Sequence, residues 1–217
     1  MNIPDTTNPG TRERLLQAAG EVFAEVGYRN ATVRDICARA GANVAAVNYH
    51  FGDKDGLYAA VLRCAQDTAE ANHPYERAGT GTAEERLRAF VSTFMRRLFD
   101  EGRPAWQPKL MARAMIEPTS ALDDVVERSI RPHFGVIRGI VRDLLGPTAS
   151  GEQVDMAASS VVGQCMLYHH CRPVVCRLFS EGVYTPEQIA ARAAHIAEFS
   201  LDALRAMRGR VERGGAR

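Results

Sequence analysis

The chain has 217 residues, of which 46% are hydrophobic and 24% charged, a composition typical of a globular protein with one small and one medium domain. No segment approaches the roughly 18 consecutive apolar residues of a membrane span, and the polar N-terminus lacks the apolar core of a secretory signal, so we expect a cytoplasmic protein. The net charge of +1 excludes a strongly basic chain, and the odd number of cysteines, five, argues against a disulfide framework.

Helical periodicity begins close to the N-terminus. Apolar residues recur every three or four positions over residues 11–26, which predicts a first helix that ends at Gly27. Two short helices follow, the first capped by Thr32 and the second by Asn43, with Gly41 at the turn between them. The inward face of the second short helix is expected to consist of Val44, Val47 and Phe51.

The same periodicity continues to the C-terminus, and no run of alternating residues predicts a strand. We therefore expect an all-α protein. Pro132 and Pro173 are expected to disturb the helices in which they lie, because proline cannot donate a backbone hydrogen bond. The remaining helices are predicted at about 53–71, 83–100, 104–118, 120–145, 151–180 and 185–207.

Residues 32–49 place a capped helix, a glycine turn and a second capped helix in 18 positions. This spacing is typical of a helix-turn-helix, whose second helix presents its polar side to the major groove of DNA. Phosphate contacts, favoured at helix N-termini, are assigned to Thr32, Tyr49, His50 and Lys54. Base-edge contacts are assigned to Ala45, Ala46 and Asn48, and the predicted DNA-binding set also includes Arg34 and Asn43.

Residues 11–62 resemble the DNA-binding domain of the TetR/AcrR family of repressors. The matching segments are Gly27-Tyr28, Thr32 to Ile36, Ala40-Gly41, and Tyr49-His50-Phe51 followed by Lys54, Leu57 and Tyr58. Two positions depart from the commonest pattern, since Asn43 stands where serine is usual and Asn48 where an aromatic residue is frequent. The resemblance implies a DNA-binding domain over residues 11–58 with double-stranded operator DNA as its partner, although the change at Asn48 means that a family operator is not assumed.

The C-terminal part resembles the CecR-like subgroup of the same family. The matching segments are Glu117-Pro118-Thr119, Ile130-Arg131-Pro132, Leu144-Leu145-Gly146, and Gly163-Gln164-Cys165 leading to Arg172-Pro173. The resemblance implies a homodimer whose last two helices pair across a twofold axis, and middle helices that line an effector cavity. The implied protein is a repressor that a small molecule releases from its operator, with a C-terminal domain at 59–208. The glycine- and arginine-rich tail at 209–217 and the polar segment 1–10 are expected to be flexible termini.

Ligand pockets are largely apolar and aromatic with a few polar groups, and ordinary core residues have the same character. Each candidate effector-binding residue is therefore interpreted either as part of a ligand pocket or as an ordinary core residue. They are Trp106, Met111, Met115, Arg131, Phe134, Ile137, Gln164 and Tyr168, with Met166, Glu117 and Arg172 as further candidates.

Cysteine and histidine are concentrated in one late helical segment, at Cys165, His169, His170, Cys171 and Cys176. Cys165 and His169 share a helix face at metal-ligand spacing, so a metal-responsive or redox-responsive regulator stays an alternative. The pattern contains no paired CxxC or HExxH motif, and we predict no metal site and no cofactor. An enzyme using Cys165 or Cys171 as nucleophile is a competing class, but no ordered set of nucleophile, base and oxyanion donor is evident, so we expect no catalytic residues.

Overall fold

The structure is a computed structural model that describes residues 9–75, 81–179 and 184–214. Within these ranges the chain forms helices joined by turns and contains no strand, which confirms the all-α prediction. No helix in this part of the protein is long and apolar enough to cross a membrane. Most of the predicted N-terminal flexible segment, residues 1–8, and the last three residues lie outside the described ranges.

Helices follow one another along the chain with short connections. They are α1 (Pro9–Asn30), α2 (Val33–Ala40), α3 (Val44–Phe51), α4 (Lys54–Asn72), α5 (Ala83–Leu98), α6 (Trp106–Ile116), α7 (Ala121–Val125), α8 (Arg131–Leu145), α9 (Gly151–His170), α10 (Arg172–Leu178) and α11 (Pro186–Gly214).

Two compact units divide the chain. The first, called unit 1, contains the residues up to Ala69 together with Glu101–Ser129. The second, unit 2, contains Glu70–Asp100 and the residues from Ile130 onward. Unit 1 thus combines α1 to α3 and most of α4 with α6 and α7, whereas the domains proposed from the sequence divide the chain after residue 58.

The core of unit 1 is built on the apolar face of α1. Leu15 and Phe23 of this helix are fully buried, together with Ile36 of α2, Val47 of α3 and Leu57 of α4. Within each helix the apolar residues recur at helical spacing and form one apolar stripe. The buried stripes pack together into the bundle that supports α3.

The core of unit 2 is formed by the four helices α5, α8, α9 and α11, which pack against one another. Each contributes fully buried side chains, for example Leu87, Ile137, Val154 and Leu201. Capping boxes fix the starts of two of the four, with Thr82 and Glu85 at α5 and Ser150 and Gln153 at α9.

Several helices differ from their predicted bounds. The first, expected to end at Gly27, continues as α1 to Asn30, although Gly27 itself has a non-helical backbone with φ +81°. The helix expected over 120–145 is divided into α7 and α8 by a π-helical turn at Val126–Ile130, directly before Pro132, whose missing N–H weakens the α-helical pattern there. The helix expected over 151–180 breaks at Cys171, next to Pro173. The last helix continues to Gly214, beyond the expected end at residue 207, and an Arg208–Glu212 ion pair of 2.8 Å bridges one of its final turns.

Candidate nucleic-acid interface

The turn between α2 and α3 has the geometry that its sequence predicts. The Thr32 hydroxyl accepts a hydrogen bond from the Asp35 N–H at 3.1 Å, and the Asn43 side chain accepts one from the Ala46 N–H at 2.8 Å. Gly41 follows α2 with φ +60°, a left-handed conformation that glycine adopts without strain. Both caps and the turn are therefore confirmed, and together they fix where α3 begins.

The outward face of α3 consists of Val44, Ala45, Asn48 and Tyr49, all of them exposed. Tyr49 retains 66% of its accessible surface, which makes it the most prominent large side chain of the helix. An exposed amide and an exposed phenol on a short capped helix are groups that can read base edges and contact phosphate.

Two predicted positions on α3 exchange faces. Val44, expected inside, is 44% exposed, whereas Ala46, assigned to a base edge, is only 2% exposed. The assignment of Ala46 is corrected, because its methyl group packs against the helices beneath α3 and is not available to a partner. Val44 takes its place on the outer face of α3.

Two arginines link α1 to α2, the helix that precedes α3. Arg14 donates from Nε to the Ala40 carbonyl oxygen at 3.2 Å, at the end of α2. Arg39 donates to both carboxylate oxygens of Glu25, at 3.0 and 2.9 Å, and this hydrogen-bonded pair lowers the pKa of Glu25. The guanidinium groups of these two residues are engaged in contacts between α1 and α2. Contacts with a polyanion are therefore assigned to other basic residues of unit 1.

A positive charge is fixed at the start of α4. The Lys54 ammonium lies 4.5 Å from the centre of the Tyr28 ring, and the Asp53 carboxylate accepts a hydrogen bond from the Gly56 N–H at 2.8 Å. The Tyr28 hydroxyl donates to Asp55, and this hydrogen bond, with burial second, raises the pKa of Tyr28 to about 12. Lys54 thus lies three residues after the end of α3, with its ammonium group held against the Tyr28 ring.

The remaining predicted DNA-binding residues differ in availability. Arg34 is exposed and has no hydrogen bond or ion pair within residues 9–75, 81–179 and 184–214. The Thr32 hydroxyl is engaged with Asp35, as acceptor from its N–H and donor to its carboxylate at 2.6 Å. His50 is half-buried, and its Nε2 is buried without a hydrogen-bond partner among the described residues, so Arg34 and Tyr49 are the more accessible groups.

The predicted effector-binding residues are distributed over both units. Unit 1 contains Trp106, Met111 and Met115, and unit 2 contains Arg131, Phe134, Ile137, Gln164 and Tyr168. The structure therefore does not bring all eight together within one compact unit. Trp106 is 8% exposed, and its indole N–H donates to the Gln17 side chain at 3.0 Å, which makes it a core residue of unit 1 against α1.

Among the candidates in unit 2, Ile137 is fully buried in the core, and Gln164 donates to the buried Ser200 hydroxyl at 3.2 Å. The Tyr168 carbonyl accepts from the Tyr184 hydroxyl at 2.7 Å, and the Arg192 guanidinium lies 5.4 Å from the centre of the Tyr168 ring. Packing within unit 2 accounts for these contacts, and the assignment of the residues to a ligand stays a prediction.

The late cysteines and histidines are spread over different environments. Cys165 is fully buried, and burial raises its pKa to about 12, while Cys171 is partly exposed and Cys176 exposed. The His169 and His170 rings contact each other at 5.1 Å between centroids. In the described part of the chain no three residues of the types His, Cys, Asp and Glu are grouped so as to hold a metal ion.

Comparison with known proteins matches both halves of the chain. A family model of TetR-type bacterial regulatory proteins matches residues 15–61, and a model of the C-terminal domain of the HTH-type transcriptional dual regulator CecR matches residues 83–204. CecR of Shigella flexneri is 28% identical over 183 residues, which cover 77% of this chain and 80% of that protein.

Solved structures show the same fold. A transcriptional regulator of Pseudomonas aeruginosa PAO1 matches with a TM-score of 0.67 and 22% identity, over 93% of this chain and 92% of that one. FadR of Bacillus subtilis, solved in complex with stearoyl-CoA, matches with a TM-score of 0.62 and 15% identity, over 87% of this chain and 97% of that one. The family and these relatives are regulators of transcription and not enzymes. The chain belongs to the TetR family of DNA-binding transcriptional regulators, in the group that carries a CecR-type C-terminal domain.

Proposed function

We propose that this protein is a repressor that acts as a homodimer and leaves its operator when a small molecule binds unit 2. The observation that carries the DNA-binding half of the proposal is the exposed outer face of α3, held by the Asn43 cap and by the bundle of unit 1. The wide major groove of B-DNA accommodates one such helix.

Within this interface we assign two kinds of contact. Asn48 is suited to the N6 and N7 positions of adenine, and Ala45 and Val44 to the methyl group of thymine. Arg34, Tyr49 and Lys54 are suited to phosphate oxygens, which fix the register of the protein on the duplex but carry no sequence information.

A mobility-shift titration with DNA from upstream of the gene tests these assignments. Tyr49→Ala and Arg34→Ala are each expected to weaken binding by about tenfold, because each removes a contact to the phosphate backbone. Arg210→Ala is the matched control for Arg34→Ala, since Arg210 is also an exposed helical arginine but belongs to α11. Equal affinities of wild type, Arg34→Ala and Arg210→Ala would contradict the assignment of Arg34.

The proposed dimer uses the outer faces of α9 and α11. Met156 and Leu167 of α9 and Phe199 of α11 are exposed, with the small residue Gly163 between the first two. α9 and α11 pack against each other in unit 2, so these side chains form an apolar surface on a pair of adjacent helices.

Sedimentation of two variants tests this surface. Phe199→Arg is expected to give monomers, because a guanidinium in the centre of the interface would be buried without a partner. Gly139→Arg introduces the same side chain on α8, at an exposed position where a Cβ meets no atom within 4 Å, and is expected to stay dimeric. A dimeric Phe199→Arg variant would show that the protomers associate elsewhere.

Release by an effector requires a ligand that binds one conformation better than the other. Coupling of about 1–3 kcal/mol already changes operator affinity by roughly five- to 150-fold. The B. subtilis FadR structure contains an acyl-CoA, and we propose by extension that the helical unit 2 receives a small organic molecule here. In vitro transcription from the bound promoter tests the sign of regulation, since an activator would raise the transcript yield where the proposed repressor lowers it.

A further inference from the structure

The Tyr28 side chain is fixed beside the start of α4. Its ring packs against the buried rings of Tyr58 and Phe23, with 4.9 and 6.2 Å between the ring centroids. Its hydroxyl donates to the Asp55 carboxylate. The ring is therefore held by packing and by a hydrogen bond, and the Lys54 ammonium lies 4.5 Å from its centre.

The two acidic residues next to Lys54 in the sequence are engaged with other groups. The Asp53 carboxylate accepts a hydrogen bond from the Gly56 N–H at 2.8 Å, and the Asp55 carboxylate accepts one from the Tyr28 hydroxyl. Lys54 forms no ion pair with a carboxylate anywhere in the part of the chain that the structure describes. Its contact is with an uncharged ring.

An aromatic ring orients a cation without neutralising it. The ring attracts the ammonium through its quadrupole and carries no net charge. A carboxylate would also hold a cation, but it would cancel the positive charge, as Glu25 does for Arg39. A free lysine side chain loses rotamer freedom when a phosphate immobilises it, and this loss weakens binding. The contact with Tyr28 restricts Lys54 before DNA arrives and leaves its charge available.

We propose that Tyr28 is a positioning residue for the contact between Lys54 and the DNA backbone. The ring holds the ammonium three residues after the end of α3, so that the charge lies ready for a phosphate oxygen. Tyr28 acts through Lys54, and it is outside the set of residues assigned to DNA from the sequence. The inference rests on the proposed function, which assigns Lys54 to a phosphate.

A double-mutant cycle in a mobility-shift titration at low salt tests the proposal, with duplex DNA from upstream of the gene. Tyr28→Leu removes the ring and is expected to weaken binding by about threefold for each half-site, and so by about tenfold for a dimer on two half-sites. Lys54→Met is expected to weaken binding at least as much. In the Lys54→Met background, Tyr28→Leu is expected to have no further effect, because no ammonium is left to position.

Tyr184→Leu is the matched control. Tyr184 is also a half-buried tyrosine, with the Arg172 guanidinium 4.6 Å from its ring centre, but it belongs to unit 2. This variant is expected to bind the DNA with wild-type affinity. A general disturbance of unit 1 by Tyr28→Leu would differ from the proposed role, since it would also weaken binding in the Lys54→Met background.

A series of ring substitutions separates positioning from packing even if Tyr28→Leu does not fold. Tyr28→Phe and its mono-, di- and trifluorinated forms keep the shape of the ring, while each fluorine weakens the negative potential of the ring face. Binding is expected to weaken stepwise along the series. Equal affinities of all four proteins would overturn the proposal, because a ring that only fills space would not respond to its electronic character.

The cycle also distinguishes this inference from the proposed function. If Lys54→Met weakens binding but Tyr28→Leu does not, or if the two effects multiply in the double variant, the role of Tyr28 is refuted and the assignment of Lys54 stands. If Lys54→Met binds with wild-type affinity, the assignment of Lys54 to a phosphate is itself refuted, and the role of Tyr28 with it.

Discussion

Gly20 of α1 packs against the ring of Trp106, the single tryptophan of the chain. Replacing this glycine tests the packing of unit 1. A Cβ at position 20 would lie 2.6 Å from two atoms of the Trp106 ring and 2.7 Å from a third, whereas ordinary contacts begin at 3.4 Å. In Gly20→Ala the indole must therefore move by about 0.8 Å. Trp106 is 8% exposed and donates to Gln17, so the movement disturbs a packed and hydrogen-bonded side chain.

Overpacking of this kind costs about 1–3 kcal/mol, and alanine recovers about 0.5–1 kcal/mol over glycine in a helix. We expect Gly20→Ala to lower the unfolding free energy of unit 1 by about 1 kcal/mol net. With a denaturant slope near 2 kcal/mol per M, the urea midpoint falls by about 0.5 M. Trp106 fluorescence follows the transition in this unit directly, because the chain has one tryptophan.

A double-mutant cycle separates the clash from other effects of the substitution. In the Trp106→Ala background, Gly20→Ala is expected to be neutral or slightly stabilising, with both transitions followed by circular dichroism. If Gly20→Ala destabilises both backgrounds equally, the close packing of Gly20 against the indole is not the cause and the reasoning is wrong.

Three further predictions concern other parts of the protein. Asn43→Ala removes the α3 cap and should destabilise unit 1 by about 1 kcal/mol, whereas Asn43→Ser, which can still cap, should cost less than half as much in urea unfolding. Burial lowers the pKa of His133, which means that its side chain takes up a proton in the unfolded chain as the pH drops below the ordinary value of 6.5, while in the folded chain it does not, so stability falls between pH 7 and pH 5. The melting temperature of His133→Gln should fall less than that of wild type over this pH range, and an equal fall in both proteins would exclude this linkage. In native protein at pH 8, a disulfide reagent should modify exposed Cys176 quickly and buried Cys165, whose pKa is raised to about 12, only after unfolding; equal rates would contradict the burial.

The features that the sequence predicts well are local. Thr32, Gly41 and Asn43 determine the helix-turn-helix through hydrogen bonds and backbone conformations within a few residues, so their pattern is readable without a structure. The starts of α5 and α9 are equally local, because each capping box spans four residues.

The features that it predicts poorly depend on distant partners. The outward turn of Val44 and the burial of Ala46 follow from how α3 packs on α1 and α2, and the periodicity of an eight-residue helix is too short to fix that orientation. Trp106 has the composition of a pocket residue, yet its contacts lie 86 and 89 positions earlier in the chain, at Gly20 and Gln17. The hydrogen bond between Glu70 of α4 and Arg97 of α5 likewise joins residues 27 positions apart.

Selection of bound sequences from a random DNA pool is the most direct test of α3 as the reading element. The account predicts that Asn48→Ala relaxes the recovered motif at one position of each half-site, whereas Lys54→Ala weakens retention without changing the motif. If Asn48→Ala and wild type recover the same motif with equal information at every position, the exposed face of α3 does not read the operator.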